Sequence, residues 1–380
     1  MKQKIIIVNN NLLIGGIQKA LVEMIKKIHN DYDVTLLLFK KNGKLISEIP
    51  DNVKIIETKS AYKYMGIHQS EWRGIGKYIR AFFVLLTRAF GFGFTSKILN
   101  MSLKKSEVSE HFDLAISYMQ NSSKKSFYGG TADYTLNLNA DKKLQFIHCD
   151  YKSSGTACKH NEIVYKKYDK IVCVSESVKK TFNEVIPELT SKTDYLYNAI
   201  DEENVIKLAD ENSFSYDSSY INFISVARLS PEKGIDRAIE AFAMIKDECN
   251  FRYYVVGDGM LRAELEERVK NYGLSDRVYF MGEQENPYRY MKGADYLLVP
   301  SLHEAAPVVF AEAKVLNLPV ITTATISANE LIGEDYGIVT ENSVEGIIKG
   351  LLKTSAFTKQ TFKSKASNLC FREEFKTIIK

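Results

Sequence analysis

The stretch "INFISVARLSPEKGIDRAIEAFAMI", Ile221–Ile245, decides the fold. It begins as a nearly continuous apolar run of strand formers, turns through Pro231 and Gly234, and then repeats its apolar residues at helical spacing. A strand that is apolar on both faces is covered on both faces, and the helix that follows is one of the covers. The pattern recurs downstream, where "YYVVG", "VYFMG", "YLLVP", "PVITTA" and "YGIVT" alternate with "MLRAELEERVKNYG", "PYRYMKGA", "PVVFAEAKVLN" and "VEGIIKGLLKT". Upstream, "IIIV" (Ile5–Val8), "VTLLLF" (Val34–Phe39), "LAIS" (Leu114–Ser117), "LQFIH" (Leu144–His148) and "IVCVS" (Ile171–Ser175) read as buried strands. Helical patterns such as "GGIQKALVEMIKKIH" separate several of them. The implied class is α/β, with parallel sheets between helical layers.

At 380 residues the chain is long enough for two cores. The break is placed near Asn198 to Ala209, after the strand-like "YLYNAI" and before the polar "DENSFSYDSS". The expectation is a Rossmann-like, doubly wound domain over residues 1–200, a second over 201–360, and a helical segment over 361–380 that packs back on the first. The two domains are expected to face a central cleft. Ligands of such sheets bind beyond the C-terminal strand ends, which makes the residues after each strand the informative ones.

Composition excludes several classes. With 45% hydrophobic and 26% charged residues the chain is globular rather than disordered or collagenous. Its five cysteines are widely spaced and form no CxxC pair, so neither a disulfide framework nor a zinc site is expected and a reducing cytoplasm is the simplest compartment. "MKQKIIIVNN" enters a strand too quickly to read as a signal peptide. The net charge of +4 hides an asymmetry: residues 1–200 hold 30 Lys and Arg against 19 Asp and Glu, and the remainder 21 against 28. No helix-turn-helix, zinc or RNP-like pattern accompanies the basic half, so nucleic acid is not expected as a partner. The one D-x-D, Asp31–Asp33, abuts a strand and reads as a turn rather than a metal site.

Several strand ends carry suggestive chemistry. After the first strand, Gly15 and Gly16 open a helix, where free backbone N–H groups suit an anion; the GxGxxG spacing of dinucleotide folds is absent. After "INFISVA", Arg228 and Lys233 flank a turn, and a forked guanidinium with a compact ammonium suits a diphosphate. In "SLHEAAPVVFAEA", Ser301–Ala313, Pro307 reads as the first helical residue, leaving Glu304 in the loop and Glu312 inside the helix. Two carboxylates so spaced can flank one extended ligand, with Ala305 and Ala306 letting the backbone approach it.

In order along the chain, "GGIQKA", "IHCDY", "YDKIVCVSESVKK", "NAID", "SVARLSPEKGIDRAIEAF", "VVGDGMLRAELEE", "GEQENPY" and "SLHEAAPVVFAEA" resemble the retaining glycosyltransferases of the GT-B fold, in particular glycosyltransferase family 4. The wording is most like the capsular and exopolysaccharide branch. The resemblance implies that Arg228 and Lys233 bind the diphosphate of a nucleotide sugar, UDP-linked by expectation, with the Gly15–Gly16 turn reaching the same phosphates. It implies that Glu304 lies near the donor sugar, that Glu312 binds the ribose, and that Ala306, Pro307 and Val308 present the helix start to the donor. His148 matches a histidine near the reacting anomeric carbon, and Asp150 beside it is a candidate to position the acceptor. Neither a cofactor nor a metal is implied. In two places the chain departs from the family pattern: Ala305 and Ala199 stand where Gly is usual, and alanine tolerates positive φ less well.

The acceptor implied is a saccharide or lipid-linked saccharide. Between Trp72 and Ser106 there is no acidic residue, while Arg73, Lys77, Arg80, Arg88, Lys97, Lys104 and Lys105 punctuate "AFFVLL" and "AFGFGF". This segment reads either as an amphipathic helix packed on the sheet or as a contact with an anionic membrane at the inner face of the cell. Two further readings share the architecture, a sugar-nucleotide 2-epimerase and a non-catalytic sugar-nucleotide-binding protein.

Overall fold

The computed structural model describes residues 2–103, 108–356 and 371–380. Lys104, Lys105 and Ser106 of the basic segment, Cys370, residues 357–360 and the first ten residues of the expected C-terminal segment lie outside the described residues. The chain divides into two compact units: one holds the chain up to Ala199 together with the helix Phe371–Ile379, and the other begins at Ile200.

The first unit is built on a seven-stranded parallel sheet. Its strands are β1 (Lys4–Asn9), β2 (Asp33–Leu38), β3 (Lys54–Glu57), β4 (Phe112–Ser117), β5 (Ala140–Ile147), β6 (Lys170–Cys173) and β7 (Thr193–Tyr195), in the order β3-β2-β1-β4-β5-β6-β7. The second unit has six parallel strands, β8 (Ile221–Val226), β9 (Phe251–Val256), β10 (Val278–Gly282), β11 (Tyr296–Val299), β12 (Val320–Thr323) and β13 (Gly337–Thr340), in the order β10-β9-β8-β11-β12-β13. Each order reverses once, between β1 and β4 in the first sheet and between β8 and β11 in the second. Helices diverge to opposite faces at that reversal and leave a crevice beyond the strand ends.

The continuous apolar runs are explained by two-sided burial. Ile5 and Ile7 of β1 enter one core while Ile6 and Val8 enter the core on the opposite face. In the second sheet Phe223, Tyr253 and Leu298 face one layer, and Ile224, Tyr254 and Leu297 the other. Each such side chain, fully withdrawn from water, contributes about 1.5–3 kcal/mol toward folding. No alternation of polar and apolar residues survives under that pressure.

The sequence reading differs from the structure in three places. β3, "KIIE", is absent from the expected strands, because this edge strand is short and carries charge at both ends. The strand read in "YLYNAI" is confined to Thr193–Tyr195, with only the Leu196 N–H extending the ladder, to the Cys173 carbonyl at 2.8 Å. Pro307 is the N-cap rather than the first helical residue: its ψ of 124° is extended, and the helix runs from Val308 to Val315.

The helix Phe371–Ile379 joins the first unit through Phe375 and Ile378, both buried, with Phe375 edge-on to Tyr32 at 5.8 Å. Arg372 grips Asp31 with Nε–Oδ2 at 3.1 Å and Nη2–Oδ1 at 2.5 Å, and Lys376 stands 3.8 Å from the same carboxylate. Asp31 thus anchors a helix, and the hydrogen bond from Arg372 holds its carboxyl below the usual range.

Candidate active site

Beyond the second sheet, three strand-end loops are stitched into one rim. The loop leaving β8 receives backbone support from the loop leaving β9: the Ala227 N–H donates to Val256 O at 3.0 Å, the Leu229 N–H to Asp258 O at 2.9 Å, and the Leu261 N–H returns to Leu229 O at 3.2 Å. This approach demands glycine. A Cβ on Gly257 would sit 1.9 Å from Ala227 O, and one on Gly259 2.4 Å from Leu229 O. The loop leaving β11 closes the rim, since the Leu302 N–H donates to Glu232 O at 2.9 Å. Gly234 has a φ of 64°, and a Cβ there would lie 2.2 Å from Pro300 O, so no other residue fits that crossing without strain.

The rim carries the charges singled out in the sequence. Lys233 Nζ lies 2.6 Å from Glu304 Oε1, and the Ser301 hydroxyl donates to the same oxygen at 2.8 Å. Ser301 is buried, and the Glu304 side chain keeps 11% of its surface exposed. One carboxylate oxygen therefore takes two donors, which orients Glu304 and turns its other oxygen into the one available for further partners. Arg228 is exposed at the head of the same loop. Between them, Glu232 accepts a hydrogen bond from Ser230 Oγ at 2.5 Å. Burial pushes the Glu232 carboxyl up, but the Ser230 hydroxyl and the Arg228 and Lys233 charges outweigh it and leave the group below its usual range.

Glu312 differs from Glu304 in being buried, with 4% of its surface exposed. It stands on the fifth residue of the helix Val308–Val315 and accepts a hydrogen bond from the Tyr288 hydroxyl at 2.8 Å. Tyr288 starts the short helix Tyr288–Met291 at the end of "GEQENPY". The loop before Glu312 holds the buried Ala305 and the half-buried Ala306, Pro307 and Val308. Neither Ala305 nor Ala199 takes a positive φ, so both departures from the glycine pattern are accommodated without backbone strain.

In the first unit the loop after β1 is built without charge. Asn9, Asn10 and Asn11 are all buried. Asn10 Nδ2 donates to Met65 O at 3.1 Å and to Gly129 O at 3.0 Å, while Asn11 Nδ2 donates to Gly66 O at 2.5 Å and its Oδ1 accepts from the Leu13 N–H at 3.0 Å. This frame delivers Gly15 as the N-cap of the helix Gly16–Ile28, which has no acidic residue in its first turn. A Cβ at Gly16 would meet nothing within 4 Å, so the helix end stands open.

His148 follows β5 and is packed between rings, with Tyr118 at 4.7 Å and Phe146 at 6.0 Å. Its own N–H is held by Gln120 Oε1 at 3.0 Å, and its buried Nε2 has no partner among the described residues. Burial drives the imidazole down to about 3, so it is neutral at physiological pH. Asp150 caps its own turn, accepting from the N–H groups of Lys152 and Ser153 at 3.1 and 3.3 Å.

Arg228, Lys233, Glu304 and Glu312 are thus gathered at the strand ends of the second unit, and Gly15, Gly16 and His148 at those of the first. Sequence reasoning missed Tyr288, Ser301 and the three asparagines. Only "NNN" signalled in advance, as a polar run at a strand end where apolar residues are otherwise continuous.

Comparison with known proteins bears on the fold and the family. Over 99% of both chains, the structure superposes on that of Anabaena HepE in complex with UDP and glucose, at a TM-score of 0.66 and 17% identity. Among curated relatives, an uncharacterized glycosyltransferase of Methanocaldococcus jannaschii is 30% identical over 167 residues, 42% of this chain and 40% of that one. The Campylobacter jejuni N-acetylgalactosamine-N,N'-diacetylbacillosaminyl-diphospho-undecaprenol 4-alpha-N-acetylgalactosaminyltransferase is 30% identical over 210 residues, 54% of this chain and 56% of that one. The matched region spans about half the length of these relatives. Residues 209–357 match the family described as glycosyl transferases group 1, and hold Arg228, Lys233, Glu304 and Glu312. With two parallel-sheet units of the GT-B architecture and that matched region, the chain carries a glycosyl transferases group 1 domain.

Proposed function

We propose that this chain is a retaining glycosyltransferase that moves a sugar from a nucleotide-sugar donor, a UDP-sugar first among candidates, to a saccharide or lipid-linked saccharide acceptor in cell-surface polysaccharide synthesis. The observation that carries the reading is the position of the charged rim: the loops bearing Arg228, Lys233 and Glu304 leave β8 and β11, the two strands that flank the reversal of strand order. The fold shared with a UDP-bound protein and the relative named for an undecaprenol-linked acceptor support it.

Each residue then has a physical task. Loss of a nucleoside diphosphate builds negative charge on its oxygens, and Arg228 with Lys233 neutralises that charge without a metal. Lys233 is held 2.6 Å from Glu304, so an arriving diphosphate shares an ammonium already fixed in place. Glu304 orients on donor-sugar hydroxyls, and Glu312, fixed by Tyr288, accepts hydrogen bonds from the ribose. Gly15 and Gly16 offer the free N–H groups of their helix end to an anion. The neutral His148, with its ring clamped, hydrogen-bonds a sugar hydroxyl near the anomeric carbon. No residue is assigned as a covalent nucleophile; the acceptor attacks the face the diphosphate leaves, and the departing phosphate takes its proton.

The test is thermal stabilisation of the purified chain against UDP, GDP, ADP and CMP and their sugars, repeated with Arg228→Ala and Glu312→Ala. Stabilisation by one nucleotide series, weakened in both variants, is the expected result. A folded protein that none of them stabilises at millimolar concentration would sink the proposal.

A further inference from the structure

The acid-free segment folds as the helix Ile75–Phe90, a turn at Gly91 with φ of 84°, and the helix Phe92–Met101. One face of this pair is satisfied. Gly76, Arg80, Phe83 and Thr87 are buried at intervals of four, three and four, and Phe92, Thr95, Ser96 and Leu99 continue that face. It is pinned as well as packed: Arg80 Nε donates to Ile67 O at 3.1 Å, and Ser96 donates to the buried Asp133, which also bonds His160 and Asn121.

The opposite face is apolar too, and no described residue of the unit covers it. Ile75 is 78% exposed, and Tyr78, Phe82, Leu85, Phe90 and Phe94 follow along the outer side of the two helices. With Met101, seven of the sixteen exposed large apolar side chains among the described residues fall in these 27 positions. Scattered exposed apolar residues need no explanation; a concentrated patch marks a contact surface. The patch is bordered by cations: Arg73, Lys77, Arg88 and Lys97 are exposed on or beside the same helices. The loop carrying Lys124 and Lys125, both exposed, is tied to the turn between them, where the Phe92 N–H donates to Lys124 O at 2.7 Å.

We infer that this face lies on an anionic lipid bilayer, with the aromatic and aliphatic side chains in the interface and the lysines and arginines on the headgroups. Charge decides the occupant: an apolar centre whose border is mostly basic, with Glu71 the acidic residue beside Arg73, suits a surface of anionic headgroups, whereas a second copy of the chain would bring like charges together. No described helix is long and apolar enough to cross a membrane, so the pair lies along the surface instead of spanning it. The inference is independent of the donor and of the reaction, and concerns the first unit alone.

The experiment is sedimentation of the full chain with vesicles of phosphatidylcholine alone and of phosphatidylcholine with phosphatidylglycerol, at low and high salt. Expected is binding to the anionic vesicles that weakens with salt. Neutralising Lys77→Gln with Arg88→Gln should lower partitioning about thirtyfold, and Phe82→Ser with Leu85→Ser on the order of tenfold or more. Unchanged thermal unfolding of both double variants separates lost binding from lost fold, since all four side chains are exposed. Failure of the folded wild type to sediment with anionic vesicles overturns the inference. So does equal binding by both double variants, or a stable dimer that Phe82→Ser with Leu85→Ser dissociates, because a second copy would then be the occupant.

Discussion

β1 and β8 occupy the same place in their sheets, each beside the reversal of strand order and each feeding a loop and a helix, yet the two loops are made of opposite materials. The loop after β8 carries Arg228, Glu232 and Lys233 and is held by backbone bonds to its neighbours and by the Lys233–Glu304 pair. The loop after β1 carries no charge from Asn9 to Gly16 and is held by amide side chains reaching the carbonyls of Met65, Gly66 and Gly129. In the first case backbone bonds and one ion pair hold the loop, and Arg228 is left exposed. In the second the side chains are consumed by the scaffold, and what is left to offer is a helix N-terminus. One topology thus supplies a charged loop and a neutral one from the same position.

The sharpest way to break this comparison is to discharge the second loop. Arg228→Ala or Lys233→Ala should lower the transfer rate by on the order of 10²–10³ while leaving the fold intact; a single-turnover rate within a few-fold of wild type would contradict the division of labour. Removing the crossing glycine tests whether backbone does hold that loop. Gly234→Ala combines a positive φ with a close approach to Pro300 O, and should cost about 1–3 kcal/mol or more in urea unfolding.

The first loop should answer to its amides instead. Asn10→Ala strips the partners from two buried carbonyls and is expected to destabilise the protein by about 1–3 kcal/mol, whereas a surface asparagine would register almost nothing. A subtler change sharpens the role of Glu312: Tyr288→Phe removes one hydrogen bond and should raise donor KM roughly fivefold, equivalent to about 1 kcal/mol, with kcat nearly unchanged. A fall in kcat instead would place Tyr288 in the chemical step.

The effect expected to be smallest near neutral pH is a pH dependence from His148. The folded imidazole binds its proton only near 3, against the ordinary 6.5 of an unfolded chain, so between these values the unfolded state holds more protons. Stability from this group is complete above pH 6.5 and drains as pH falls toward 3. A urea series across that window on wild type and His148→Gln should show a shallower acid slope in the variant.

The strand–helix alternation, the division near Ala199 and the four charged residues of the second unit were legible in the chain itself. Two-sided burial leaves continuous apolar runs, and a charge at the end of one stands out against it. Two resemblances in composition misled or stayed silent. Pro307 has the φ of a first helical residue, and only its ψ reveals an N-cap. "KIIE" is too short and too charged to announce β3.

What the sequence by itself determined is therefore the periodicity and the placing of charges at strand ends, because both are written in residue types at short separations. Tertiary structure alone decided that Ser301 and Lys233 share one oxygen of Glu304, that Tyr288 reaches Glu312, and that Asn10 spans to Gly129. It also decided which of two apolar faces on the helix Ile75–Phe90 is buried and which meets solvent. Those contacts join residues tens of positions apart, or choose between chemically similar faces, and no local pattern encodes a choice that is made only when the sheets bring distant strand ends together.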